Sequence, residues 1–118
     1  MHITIHTRSF DLTDALGSYT ERRLRFALTS ADNYVRRIVV RLSDINGPKG
    51  GDDKRCHIQV VLAGLPDVVV EDIEADLYFA IDRAADRAAR TVMRKISRRQ
   101  KLSKQLRQPA WDACLLYT

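Results

Sequence analysis

Arg83, Arg87, Arg90, Arg94 and Arg98 are separated by four, three, four and four residues. At about 100° per residue on an α-helix, the five side chains fall within a wedge of about 80°. Guanidinium groups are planar, permanently charged and donate in pairs, so a row of them suits bidentate contact with phosphate oxygens rather than proton transfer. The apolar residues Leu77, Tyr78, Ile81, Ala85, Ala88, Val92 and Ile96 centre on the opposite side of the same helix, which marks one face for burial. The other face is a rail suited to a polyanion.

Charge is concentrated around this rail. From Arg87 to Arg107 there are nine basic residues, among them Lys95, Arg99, Lys101 and Lys104, and no acidic one. The 118-residue chain holds 20 basic and 15 acidic residues, which leaves 11 basic against 15 acidic elsewhere. A slightly acidic body carries a strongly basic helix, an asymmetry that points to nucleic acid or an acidic membrane surface. A solvated helix face normally interleaves acids and bases four residues apart. Within the rail only Asp86 and Arg90 have that relation, so repulsion along the rest calls for an external polyanion. Arg22 and Arg25 point away from the apolar stripe of an earlier helix and widen the patch if the two helices lie side by side. The candidate RNA-binding residues are therefore Arg22, Arg25, Arg83, Arg87, Arg90, Arg94, Lys95, Arg98, Arg99 and Lys101.

Other chemistry finds little support. His2, His6 and His57 are scattered, and neighbouring Cys56 and His57 face opposite sides of a strand, so no metal-ligand spacing arises. Asp52 and Asp53 lack a partner arrangement for acid–base work. Asp72, Glu74 and Asp76 precede or open the long helix, where its dipole accounts for them. The expectation is a protein that is not an enzyme, with no cofactor, metal or small-molecule substrate. Gly47-Pro48-Lys49-Gly50 has the GxxG form of an RNA clamp, but that clamp joins helices and this segment joins strands. It also lacks the Gly-Lys-Ser/Thr of a phosphate-binding loop.

The elements that position the rail follow from periodicity. His2 to Thr7 alternates as a strand, with Ile3 and Ile5 sharing a face. Thr13 is placed to cap a helix over residues 14–28, with Asp14 in its first turn. Leu12, Leu16, Leu24, Ala27 and Leu28 follow its apolar stripe. Gly17 within that helix costs about 1 kcal/mol relative to alanine, so packing is expected to offset it. Val35 to Ser43 and Arg55 to Ala63 are strands around a turn-rich loop. Ile38, Val40, Leu42, Cys56, Ile58, Val60 and Leu62 face inward, and Arg37, Val39, Arg41, Arg55, His57, Gln59 and Val61 outward. A short strand covers Val68 to Glu71, and the second helix runs from about Glu74 to Lys101 or beyond. The order β-α-β-β-β-α implies an α+β domain over residues 1–104: a four-stranded sheet with two helices packed on one face, like double-stranded RNA-binding modules. Residues 105–118 are expected to form a tail that is flexible unless Trp111 and Leu115 to Tyr117 dock on a partner. The outward face has no aromatic residue, which disfavours base stacking there. Few Asn, Gln or aromatic residues accompany the rail, so backbone and shape are its targets rather than base identity.

No apolar run approaches the roughly 18 residues that span a bilayer, and the N-terminus lacks the form of a signal peptide. Small alanines stand where a membrane-surface helix needs bulky apolar residues, so no membrane partner is expected. Cys56 and Cys114 have no framework spacing, which suits a reduced, cytoplasmic setting.

Asp11-Leu12-Thr13-Asp14-Ala15-Leu16 and, more specifically, Asp76-Leu77-Tyr78-Phe79-Ala80-Ile81-Asp82 followed by Asp86-Arg87, Ala89-Arg90, Arg94 and Arg98 carry a family resemblance. Over residues 1 to 101 the chain resembles the ribosome hibernation promoting factors, also called ribosome-associated inhibitor or sigma-54 modulation proteins. The resemblance implies the same β-α-β-β-β-α fold. It also implies a bacterial stress or stationary-phase factor bound to the small ribosomal subunit and its rRNA, in the channel of tRNA and mRNA, which inhibits translation and preserves idle ribosomes. The family's basic positions correspond to Arg87, Arg90, Arg94 and Arg98, while Arg83 extends the rail beyond the shared pattern. Tyr78, Ile81 and the alanines correspond to core. Long members carry a second, dimerising domain for which this chain is too short, which leaves open whether it promotes or opposes ribosome pairing; no stable homo-oligomer is expected to be required. The rival expectation is a protein-interaction module whose basic helix docks on an acidic partner in a transcription-related role.

Overall fold

Alternating apolar and polar residues carry the chain into four strands, and two stretches of helical periodicity fold against them. The computed structural model describes residues 1–8, 11–44 and 54–107. The loop 45–53, with Lys49, Asp52 and Asp53, and the tail from 108 onward lie outside the described residues. The order is β1 (His2–Arg8), α1 (Asp14–Ala27), a 3-10 turn (Thr29–Ala31), β2 (Val35–Asp44), β3 (Lys54–Leu62), β4 (Val68–Glu74) and α2 (Leu77–Arg107). This is the expected β-α-β-β-β-α domain.

The strands form one sheet in the order β1-β2-β3-β4. β1 runs parallel to β2, with Ile3 opposite Ile38 and Ile5 opposite Val40. A parallel pair needs a crossover, and α1 supplies it. β2 with β3 and β3 with β4 are antiparallel. Period-two alternation then sends Ile38, Val40, Leu42, Cys56, Ile58, Val60, Leu62, Val68 and Val70 to one face, where all are buried. Leu16 and Leu24 from α1 and Ala80, Ile81, Ala84, Ala85, Ala88, Val92 and Ile96 from α2 complete the same core. Each fully buried Ile or Leu in it contributes about 1.5–3 kcal/mol. The alanines let α2 lie close against β3 and β4, and this contact sets which of its faces is exposed.

Caps set the helix starts. Thr13 Oγ1 accepts from the Leu16 backbone N–H at 3.2 Å, as its type and position predict. Asp76 does the same for α2, its carboxylate accepting from Tyr78 N at 3.3 Å. The helix therefore begins at Leu77, three residues later than the sequence pattern suggests. Asp72 and Glu74 belong to β4, which is longer than expected. At the other end, α2 continues to Arg107, in keeping with the expected run to Lys101 or beyond. Tyr78 is 39% exposed; instead of filling the core it meets Tyr19 of α1 edge to face at 4.9 Å between centroids. Gly17 is not enforced by packing, because a Cβ there would meet Leu12 methyl carbons at an ordinary 3.8 Å.

Candidate nucleic-acid interface

Burial of Ala85, Ala88, Val92 and Ile96 fixes the rotation of α2 and leaves Arg83, Arg87, Arg90, Arg94, Arg98, Arg99 and Lys101 exposed and Lys95 half-buried. The five rail arginines share one face, as their spacing predicts, but their surroundings differ along it.

At the N-terminal end the rail is tied down. Arg83 Nε lies 3.2 Å from Glu74 and 3.4 Å from Asp72, and its guanidinium sits 5.5 Å from the centre of the Phe79 ring. Arg87 donates from Nη1 to the backbone oxygen of Glu71 at 2.8 Å, which anchors it to the edge strand and leaves its charge unpaired among the described residues. Arg90, Arg94 and Arg98 are in no ion pair among the described residues. The charge available to a ligand is thus concentrated in the middle of α2 rather than spread evenly from Arg83. Arg99, just off the rail, donates to the carbonyl of Gly64 at 2.6 Å. Gly64 holds the β3–β4 turn with φ of 71°, a left-handed conformation that suits glycine.

Between α2 and β4 runs a groove of about 370 Å³ lined by Val69, Val70, Arg87, Arg90, Thr91 and Arg94. Three guanidinium groups therefore converge beside the exposed edge of the sheet. A second hollow flanks the same ridge on the side of Ala89 and Met93, and Arg90 and Arg94 line both. These two residues reach an anion approaching from either flank. The forked donor geometry of arginine leaves several N–H groups per side chain for phosphate oxygens.

The two helices do lie side by side, and the seam between them contains what sequence reasoning missed. Arg23 of α1 reaches Asp82 at 3.1 Å and Asp86 at 2.5 Å on α2. Tyr19 donates its hydroxyl to Asp82 at 2.5 Å. That hydrogen bond, then burial and the Asp82 charge, raise the tyrosine above its ordinary value of 10.0. For Arg23 burial opposes the charge, but Asp86 and Asp82 outweigh it and hold the guanidinium above its ordinary value. Asp86 therefore serves α1 and not Arg90, contrary to the pairing its four-residue spacing suggested. The signal was present as an arginine between two outward ones, Arg22 and Arg25, at a position that turns toward the second helix. Arg22 and Arg25 line a separate hollow with Ser18 and Glu21. Arg25 is partly neutralised by Glu21 at 2.9 Å, whereas Arg22 has no ion pair among the described residues.

The remaining chemistry is sparse. Cys56 is buried, and desolvation together with the nearby Asp72 charge pushes its thiol up to about 12, which keeps it protonated. Among the described residues no group of three His, Cys, Asp or Glu side chains is arranged to hold a metal ion. No helix among them is long and apolar enough to cross a membrane.

Residues 3–101 match the model of a family described as sigma 54 modulation protein / S30EA ribosomal protein. Among solved structures, the N-terminal domain of Protein Y from Thermus thermophilus is 39% identical, with a TM-score of 0.64 over 80% of this chain and 98% of that one. A ribosomal subunit interface protein from Coxiella burnetii is similar in fold, with 20% identity and a TM-score of 0.71 over 82% of this chain and 99% of that one. No curated protein matches the sequence.

Proposed function

The chain belongs to the sigma 54 modulation protein / S30EA ribosomal protein family, and from that premise we propose that it is a ribosome-binding hibernation factor held on small-subunit rRNA by the exposed face of α2. The observation that carries this reading is the cluster of Arg87, Arg90 and Arg94 along one groove, continued by Arg98, none of them ion-paired among the described residues. Such a cluster repels itself unless a polyanion lies along it. Arg90 and Arg94 are its centre, and Lys95, Arg99 and Lys101 extend it toward the C-terminus. Arg22 adds a contact from α1, and Arg25 a weaker one.

The action is steric. Guanidinium groups clamp phosphates, and the folded domain fills the small-subunit channel that tRNA and mRNA otherwise occupy. Translation stops without bond making or breaking, and the idle ribosome is preserved until the factor leaves. The reading implies a cytoplasmic protein of stressed or stationary-phase cells. It requires no second copy of the chain.

The test is co-sedimentation with purified small subunits at moderate salt. The Arg90→Glu, Arg94→Glu double variant is expected to lose co-sedimentation while retaining its melting temperature, because both side chains are exposed. A variant that still sediments like wild type would remove the rail as the ribosome-binding site.

A further inference from the structure

The face of the sheet turned away from the helices is basic as well. Strand alternation and register place all three histidines of the chain, His2, His6 and His57, on that face together with Arg8, Arg37, Arg41 and Arg55. Arg41 is the direct cross-strand partner of His6 on one side and of His57 on the other, and His2 is the partner of Arg37. Arg8 and Arg55 both stand opposite Ser43. Neighbouring strands are about 4.8 Å apart, so Arg8, Arg37, Arg41 and Arg55 bring four permanent positive charges onto one face within a few strand spacings.

A solvated sheet face relieves such crowding with acids. Here Glu71 is the one strand acid on this face among the described residues, and Arg55 already holds it at 2.6 Å. Asp67, in the β3–β4 turn, is engaged by Gln59 at 2.8 Å. Arg8, Arg37 and Arg41 have no ion pair among the described residues. His6, Arg8, Arg41, Ser43, Arg55 and His57, together with Thr7 and Leu42, line a groove of about 250 Å³. Arg55 Nε and His57 Nδ1 are buried side-chain nitrogens without a hydrogen-bond partner among the described residues.

We propose that this open face is a second phosphate-binding surface, so that the domain is gripped between two RNA segments, one along the α2 rail and one across the sheet. The inference rests on the rRNA-binding reading above and adds a contact surface to it. Phosphate rather than base is the target, because the face offers guanidinium and imidazole donors and no aromatic ring to stack on. The two surfaces adjoin at the edge strand: Glu71 accepts from Arg87 of the rail through its backbone oxygen and from Arg55 of the sheet through its carboxylate.

The experiment measures equilibrium binding of the full chain to purified small subunits over a range of KCl concentrations. Wild type is compared with Arg37→Gln, Arg41→Gln and with Arg90→Gln, Arg94→Gln. All four side chains are exposed and outside any ion pair among the described residues, and unchanged melting temperatures verify folding. Each neutralised phosphate contributes roughly 0.7–0.9 to the slope of log affinity against log salt. The sheet variant is expected to bind about tenfold or more weakly and to lower the slope by about 1.5. A parallel footprint, phenylglyoxal modification of Arg41 in the wild-type complex, is expected to show protection. Wild-type affinity and slope in the sheet variant, or an Arg41 as reactive in the complex as in the free protein, would overturn the second surface while leaving the rail reading intact. Failure of wild type itself to bind the subunits would overturn both.

Discussion

Arg23 on α1 and Asp86 on α2 are joined at 2.5 Å, 63 residues apart in sequence. With the contacts of Arg23 and Tyr19 to Asp82 it joins the helices, and it withdraws from the rail the acid that its spacing would otherwise pair with Arg90. Because Arg23 is 21% exposed and Asp86 60%, the stabilisation is that of a partly screened ion pair. Arg23→Gln is expected to lower stability by about 1 kcal/mol in urea denaturation. It also frees Asp86 to swing toward Arg90 and weaken RNA binding several-fold. Adding Asp86→Asn is expected to restore binding without restoring stability. If Arg23→Gln alone binds like wild type, Asp86 does not govern the charge of the rail.

A pH dependence follows from Cys56, whose thiol is raised from 9.0 to about 12 by burial and by Asp72. Below pH 9 the thiol is protonated whether the chain is folded or not, so its contribution is fully present. Between 9 and 12 the unfolded chain releases a proton that the folded chain retains, and stability falls with rising pH by up to about 1.4 kcal/mol per unit. In a Cys114→Ser background, urea midpoints measured from pH 8 to 10.5 are expected to fall more steeply with Cys56 present than in Cys56→Ala. Parallel slopes would show that the thiol does not titrate as its burial requires. The same protonation predicts that native Cys56 resists iodoacetamide at pH 9 and reacts once the chain is unfolded.

What the sequence revealed and what it hid divide along the range of the interactions. Strand alternation identified the inward residues of β2 and β3, and arginine spacing identified the exposed face of α2, because both depend on neighbours within a few positions. The end of β4 was hidden because Asp72 and Glu74 break the apolar alternation on the helix-facing side. Their reason is Arg83, eleven and nine residues further on and across an element boundary. Asp72 and Glu74 therefore answer to a tertiary ion pair rather than to the helix dipole, and only Asp76 serves the helix start. Asp86 was misassigned for the same reason: a local four-residue rule proposed Arg90, and a long-range partner prevailed. The basic character of the open sheet face was visible residue by residue, but its clustering needed the parallel register of β1 against β2, which no local pattern encodes.

Gly17 offers a direct test of packing against propensity. It lies in the first turn and a half of α1 with its N–H bonded to the Thr13 carbonyl at 2.9 Å. A methyl group at that position meets Leu12 at ordinary van der Waals distance. Nothing there requires glycine. Gly17→Ala is expected to stabilise the domain by about 0.5–1 kcal/mol through the backbone freedom it removes from the unfolded chain, read as a higher urea midpoint at constant slope. A loss of stability would mean that α1 needs to approach Leu12 more closely than the free space around Gly17 indicates.

Arg83 separates geometry from pattern in the rail. By spacing it is equivalent to Arg90 and Arg94, so a rule based on charge count assigns the three equal shares of RNA affinity. By environment it differs, since Asp72 and Glu74 hold its Nε at 3.4 and 3.2 Å and Phe79 lies beneath it. A guanidinium already paired with two carboxylates adds little net charge to the surface and releases few counterions from RNA. Arg83→Gln is therefore expected to leave small-subunit affinity within about twofold of wild type and the salt slope unchanged. Its cost falls on stability, by less than about 1 kcal/mol, because the pair is exposed on the arginine side. Arg94→Gln is expected to behave in the opposite way, lowering the slope by roughly 0.7–0.9 with no change in melting temperature. Equal losses of affinity in the two variants would mean that Arg83 leaves its carboxylates when RNA arrives, and that the rail is read by its spacing after all.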